Sequence, residues 1–225
     1  LFCIFVNHGL LRKNETEEWN GSSWSEQNNL NTARRLPGGS GSQTDALATA
    51  GDDGGPPGAT VTADVEEYNG TSWSEQNNIP TALRGGCSAG TTSSNSMFFG
   101  GYTGTARVSS NYEYDGTNWT TGGSLNTARN GLMGSGTQTS GLAFGGQAPS
   151  ATTATELYDG TSWTNVSSMG TAAYTGGGSV GAGTGTTALQ STGRTPPISS
   201  ATEEFNKSIN VITAAAWSSG GNLNS

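Results

Sequence analysis

At 225 residues the chain is long enough for one large all-β domain. Nine Lys and Arg against 17 Asp and Glu give a net charge of −8, which removes any electrostatic basis for gripping a nucleic-acid backbone or an anionic membrane surface. The 36 glycines are far more than an average share, yet large aromatic residues recur at even intervals, which disordered chains lack.

The first fifteen residues differ in chemistry from the rest. Leu1–Val6 is the longest apolar run and is far short of the about 20 residues that span a bilayer, so membrane insertion is not expected. Its apolar residues Cys3 to Val6 predict a strand. The sole histidine, His8, follows it in a loop position, and one histidine cannot build a copper site or a Ser-His-Asp arrangement. Cys3 and Cys87 lie in different repeats at different phases, which predicts two buried thiols and no disulfide.

From residue 18 onward one pattern repeats. An acidic residue, an aromatic, Asn or Asp, Gly, a hydroxyl residue and then Trp occur as Glu18–Trp24, Glu67–Trp73, Glu113–Trp119 and Glu156–Trp163, and more loosely as Glu203–Asn206 with Trp217. The tryptophans that close the first four copies, Trp24, Trp73, Trp119 and Trp163, are 49, 46 and 44 residues apart. A repeat of this length with strand-type content means a propeller blade or a similar stacked unit. Asn20-Gly21, Asn69-Gly70, Asp115-Gly116 and Asp159-Gly160 predict type I′ hairpin turns, which need positive φ at both central residues. Each turn joins a strand ending in an aromatic (strand C of a blade) to one opening with Trp (strand D).

Beyond each Trp comes a polar loop and then Asn31-Thr32-Ala33-Arg34, Thr81-Ala82-Leu83-Arg84, Asn126-Thr127-Ala128-Arg129 or Gly170-Thr171-Ala172-Ala173. A Gly-, Ala- and Ser-rich stretch follows and suits an innermost strand A, where backbones converge. The next apolar segments, Ala46–Ala48, Met97–Phe99, Leu142–Phe144 and Ala188–Leu189, predict strand B. Four A, five B, five C and five D segments imply about five four-stranded antiparallel blades in a single domain over 1–225, with two readings of the missing A strand open: one blade is three-stranded in a five-bladed ring, or the native chain is longer and carries more blades. A blade cannot bury both faces alone, so Trp24, Trp73, Trp119 and Trp163 with Tyr68, Tyr114 and Tyr158 are expected to fill the spaces between blades.

The order apolar-Gly-Gly, Glu-Tyr-Asp, Trp, Thr-Ala-Arg resembles the kelch repeat across residues 14–217. The resemblance implies an all-β, kelch-like β-propeller. It also implies that the recurring Glu67 and Glu113 and the recurring Arg34, Arg84 and Arg129 are structural partners. The chain departs from the pattern at Ala50-Gly51, at Thr192-Gly193 and at Ala173. Its Gly/Ser/Thr-rich hairpins resemble kelch-like propellers of marine bacteriophages and aquatic bacteria. Residues 1–15 resemble a strand-loop segment of the GMP synthetase family. That family's phosphate-cradling Ser-Gly-Gly-x-Asp-Ser loop is missing here, so its activity is not expected.

The B–C loops, residues 51–63, 101–110, 146–153 and 193–200, vary while the strands repeat, and loops on a rigid scaffold carry function. Candidate ligand contacts are Tyr102, Arg107 and Arg194, together with the paired carboxylates Asp52 and Asp53. Such a pair could help to ligate Ca²⁺ or act as acid and base, although a calcium site needs more oxygens at fixed spacing and the pair reads first as a solvated turn. The expected function is non-catalytic: a recognition or structural module presenting loops to a glycan or a protein surface, without metal or cofactor. Its expected setting is extracellular or a virion surface, assembled with other surface proteins. Two alternatives stand beside it, a carbohydrate-active hydrolase or lyase using axial carboxylates and a chimeric or partial translation without selected function.

Overall fold

The computed structural model describes residues 13–54, 60–174, 182–193, 199–207 and 216–219. Cys3, His8, the predicted strand Cys3 to Val6 and Arg194 lie outside the described residues.

Among the described residues eighteen strands follow one another in five antiparallel sheets. The first sheet holds β1 (Thr16–Trp19) and β2 (Trp24–Gln27). The second holds β3 (Gly38–Ser42), β4 (Asp45–Asp52), β5 (Val61–Tyr68) and β6 (Trp73–Gln76), and the third β7 (Cys87–Ala89), β8 (Met97–Phe99), β9 (Asn111–Tyr114) and β10 (Trp119–Thr121). The fourth holds β11 (Met133–Thr137), β12 (Ser140–Phe144), β13 (Thr155–Tyr158) and β14 (Trp163–Val166), and the fifth β15 (Ala182–Gly183), β16 (Thr187–Gly193), β17 (Ser199–Asn206) and β18 (Ala216–Ser219). Each four-stranded sheet pairs its strands in sequence order, which makes it a meander.

First strands of successive sheets lie against each other, β3 on β7, β7 on β11 and β11 on β15. Gly41 N–H donates to the Gly90 carbonyl at 3.1 Å and Ser135 Oγ to the Thr184 carbonyl at 2.9 Å across these approaches. Small residues permit it: a Cβ on Gly134 would stand 2.5 Å from the Phe99 ring, and one on Gly38 2.3 Å from Ser88 Oγ. First strands converging in order around one line are the geometry of a β-propeller. Cys87 is a buried thiol on one of them.

The recurring aromatics pair across the C–D hairpin, Trp19 opposite Trp24, Tyr68 opposite Trp73, Tyr114 opposite Trp119 and Tyr158 opposite Trp163. Their ring centroids are 5.4, 5.1, 4.9 and 4.9 Å apart, within the range of favourable ring contacts. The indoles also reach the preceding sheet. Trp73 Nε1 donates to Thr16 Oγ1 at 3.0 Å, and the Trp163 ring lies 5.0 Å from that of Phe99. Trp73 and Trp163 are buried and Trp119 is half-buried, its Nε1 donating to the Asn77 carbonyl at 2.9 Å. Trp24 departs from the expectation of a buried wedge: 43% of it is exposed, because no sheet among the described residues covers its outer face.

The hairpin turns are not type I′. Gly21, Gly70, Gly116 and Gly160 have φ between 87 and 99°, but the preceding Asn or Asp stays at negative φ. The connection has four residues, and the Asn or Asp side chain caps it. Asn69 Oδ1 accepts Thr71 and Ser72 N–H at 3.0 Å each, and Asp159 Oδ1 accepts Thr161 and Ser162 N–H at 2.8 Å each. Hydrogen bonds from these backbone amides hold the Asp115 and Asp159 carboxyls below their ordinary value. A carboxyl lowered on folding stabilises above its unfolded value, near 3.9, and loses that contribution as pH falls through the folded value. Acid melts of wild type should therefore lose stability below about pH 4 that Asp115→Asn/Asp159→Asn retains. Equal acid slopes in the two proteins would refute this cap.

A buried polar clamp ties each D–A linker to the next sheet. In the linkers a buried apolar anchor (Leu30, Ile79, Leu125 or Met169) is followed four residues later by Arg34, Leu83, Arg129 or Ala173. Arg34 pairs with Glu66, and Arg129 Nη2 lies 3.1 Å from Glu156 Oε1, with all four side chains almost fully buried. Each carboxylate also accepts a linker amide, Asn31 N–H at 2.7 Å onto Glu66 and Asn126 N–H at 2.7 Å onto Glu156. Burial pulls the Arg129 guanidinium below its ordinary value, and the Glu156 charge opposes that shift. In the third sheet both charges are absent together: Leu83 stands for the arginine, and Tyr112, in the carboxylate's position, donates its hydroxyl to Thr81 Oγ1 at 2.9 Å. In the fifth, Ala173 stands for the arginine, and Glu203 accepts Gly170 and Thr171 N–H at 2.7 and 2.8 Å.

The partners implied by the kelch resemblance are thus corrected for three residues. Glu67 accepts the Ser93 hydroxyl at 2.8 Å. Glu113 accepts the Tyr158 hydroxyl of the next sheet at 2.5 Å, and burial together with that carboxylate pushes the phenol up to about 12. Arg84 belongs to a different register from Arg34, one residue past the clamp position. The Ala50 departure has a backbone meaning. Ala50 sits at φ 62° where Gly100 and Gly145 have 66 and 62°, so its methyl carries a left-handed strain of about 1–2 kcal/mol.

Candidate functional site

The residues just past the clamp position and the starts of the B–C loops lie side by side, because their backbones pair. Arg35 and Asp52 exchange N–H···O bonds of 2.8 and 2.9 Å, Arg84 and Tyr102 bonds of 3.0 and 2.9 Å, and Asn130 and Gln147 bonds of 3.3 and 2.8 Å. Three consecutive sheets therefore present equivalent loop positions at one end of the fold.

Side chains link these positions into a chain. Asp52 Oδ1 accepts Arg35 Nε at 2.7 Å and Gly54 N–H at 3.1 Å, and Oδ2 accepts Arg84 Nη1 at 2.7 Å. The Arg84 guanidinium then sits over the Tyr102 ring, 5.4 Å from its centroid, a cation–π contact. Tyr102 pairs with Arg107 through a backbone bridge, and Arg107 Nε donates to Asn130 Oδ1 at 2.9 Å. The line Asp52–Arg84–Tyr102–Arg107–Asn130 crosses from the second sheet to the fourth. Hydrogen bonding to Asp52 raises the Arg35 pKa, so its charge is fixed at every physiological pH.

Asp52, Tyr102 and Arg107 are thus brought together, and Arg194 lies outside the described residues. The solvated turn expected for Asp52 is corrected: its side chain is wholly buried and neutralised by two guanidiniums. Asp53, half-exposed, accepts Thr60 N–H at 2.8 Å. Both aspartates line a pocket of about 230 Å³, with Arg34, Thr60, Thr62 and Asp64 also at its wall. Among the described residues no group of three His, Cys, Asp or Glu is placed to hold a metal ion. Arg35 and Asn130 are participants that motif reading passes over, and Arg84 is one that it takes for a structural partner equivalent to Arg34. Their signal is positional, five residues past each buried anchor.

Fold and site together define a β-propeller domain with an arginine- and tyrosine-bearing loop face. No protein-family model and no curated protein matches the chain. A solved structure titled "Structure of YjhT" is similar over 93% of this chain and 76% of that chain, with a TM-score of 0.70 and 11% sequence identity. At that identity the likeness is one of fold. Among the described residues no helix is long and apolar enough to cross a membrane.

Proposed function

We propose that this protein is a non-catalytic recognition module of kelch-like architecture, whose loop face binds a glycan or a protein surface in an extracellular or virion-surface setting. The observation that carries the reading is the half-exposed Arg84–Tyr102–Arg107 row, held in place by buried Asp52 and by paired backbone. Aromatic rings beside fixed guanidiniums offer a stacking plane and rigid donors at low ordering cost. The buried carboxylates support a binding role over a hydrolytic one. Glu66, Glu156, Glu203 and Asp52 are each engaged by guanidinium or amide donors, whereas a general acid or base needs a carboxyl facing substrate.

The test is a glycan array on the purified protein, with the Tyr102→Ala/Arg107→Ala variant run in parallel. A bound class that the double variant binds at least about tenfold more weakly, about 1.4 kcal/mol, is the expected result. Uniform lack of glycan and protein binding, or equal binding by the variant, would overturn the reading.

A further inference from the structure

The arginines of the described residues that stand outside the buried clamps, Arg35, Arg84 and Arg107, are all at the loop end of the fold. Arg35 and Arg84 share a single carboxylate, Asp52. Among the described residues Arg107 meets neutral acceptors alone, Asn130 Oδ1 at 2.9 Å and the Pro149 carbonyl at 3.4 Å. The carboxylates Asp53 and Asp64 line the neighbouring pocket, and no member of the Arg84–Tyr102–Arg107 row stands in its wall. The row is thus a local surplus of positive charge on a chain of net charge −8.

Hydrogen-bonding capacity along the row is as one-sided as the charge. Backbone pairing of Arg84 with Tyr102 and of Tyr102 with Arg107 sets the tyrosine between the two arginines, with all three side chains on one face. Arg84 uses Nη1 on Asp52, and Arg107 uses Nε and Nη2 on its two acceptors. Arg84 Nε and Nη2, Arg107 Nη1 and the Tyr102 hydroxyl have no hydrogen-bond partner among the described residues. Asp52 already accepts at both oxygens, and Asn130 Oδ1 is taken by Arg107. The row therefore presents donors, and the tyrosine hydroxyl is its one group able to accept as well.

We propose that the row binds an acidic glycan, with a carboxylate or sulfate group set between Arg84 and Arg107 and the sugar against the face of Tyr102 turned away from Arg84. This rests on the recognition role proposed above and gives its ligand a chemical class. An oxyanion supplies acceptors alone, matches a site of donors, and makes charge-assisted bonds to guanidinium. A neutral sugar hydroxyl donates as well as accepts, and its hydrogen meets no acceptor in the row beyond the tyrosine oxygen. A protein partner fits less well. Tyr102 is the sole ring in the row, and the exposed large apolar side chains of the described residues, Trp24 and Leu189, lie outside it, whereas a protein interface centres on an apolar and aromatic core.

Binding titrations with short oligosaccharides in matched pairs test this. A hexuronate oligosaccharide is run beside its carboxyl-reduced form, and a sulfated galactan oligosaccharide beside its desulfated form, with an acidic peptide alongside. One or both acidic sugars should bind at least about tenfold more tightly than the neutral counterpart, and added salt should weaken that binding. Arg107→Gln, whose folding a thermal melt checks, should remove the difference. The pair that responds tells a carboxylate ligand from a sulfated one. Equal binding of acidic and neutral members, or a difference that survives Arg107→Gln, overturns the inference and leaves the recognition role standing. Capture of the acidic peptide without any sugar assigns the row to a protein partner and also overturns it. If no probe binds, the inference falls, and the glycan array decides the recognition role separately.

Discussion

Trp73→Ala should lower folding stability by about 3–5 kcal/mol in a urea melt, the range for truncating a buried aromatic. The indole stacks on Tyr68 within its own sheet and donates to Thr16 on the preceding one, so its loss opens a void between two sheets and orphans a buried hydroxyl. Trp24→Ala removes the same side chain from the same motif but should cost less than about 1 kcal/mol, the value for an exposed substitution. The contrast separates packing from propensity, because strand and turn are alike at both sites and each indole faces an aromatic cross-strand partner, Trp19 or Tyr68. Equal costs would mean that the indoles act within their hairpins and not between sheets.

The second large effect is expected at the buried clamp. Arg129→Leu alone leaves the Glu156 carboxylate without its cation in the core and should cost about 3–5 kcal/mol. Glu156→Tyr alone, which leaves Arg129 uncompensated, should cost a similar amount. Arg129→Leu/Glu156→Tyr copies the Leu83 and Tyr112 arrangement of the third sheet, and Thr127 stands where Thr81 receives the tyrosine hydroxyl. The double variant should return to within about 1 kcal/mol of wild type, since an apolar replacement of a buried ion pair is often neutral. A double variant that loses the sum of the single losses would show that the clamp positions are not interchangeable.

These two results bear on what the sequence made legible. The hairpins and their strands were readable because Asn/Asp-Gly turns and cross-strand ring pairs are local, so each repeat declares them alone. The Asn/Asp-Gly pairs do not reveal the turn type, because the Asn and Asp side chains cap a four-residue loop, a role that needs no positive φ at their own position. The clamp was half readable. Aligning on the name arginine puts Arg84 with Arg34, whereas counting from the buried anchors Leu30, Ile79, Leu125 and Met169 puts Leu83 there. The loop face was readable only as variable loops, because Asp52 meets Arg84 across two sheets and 32 residues of chain. Trp24 shares its motif with buried Trp73 and differs only in having no preceding sheet among the described residues, a difference no local pattern records.

Whether aromatic side chains wedge successive sheets together about an axis is read from hydroxyl-radical footprinting of the native protein, followed by mass spectrometry tryptophan by tryptophan. Trp73 and Trp163 should be oxidised slowest, Trp119 at an intermediate rate and Trp24 fastest. Trp73 and Trp163 reacting as fast as Trp24 would contradict the account.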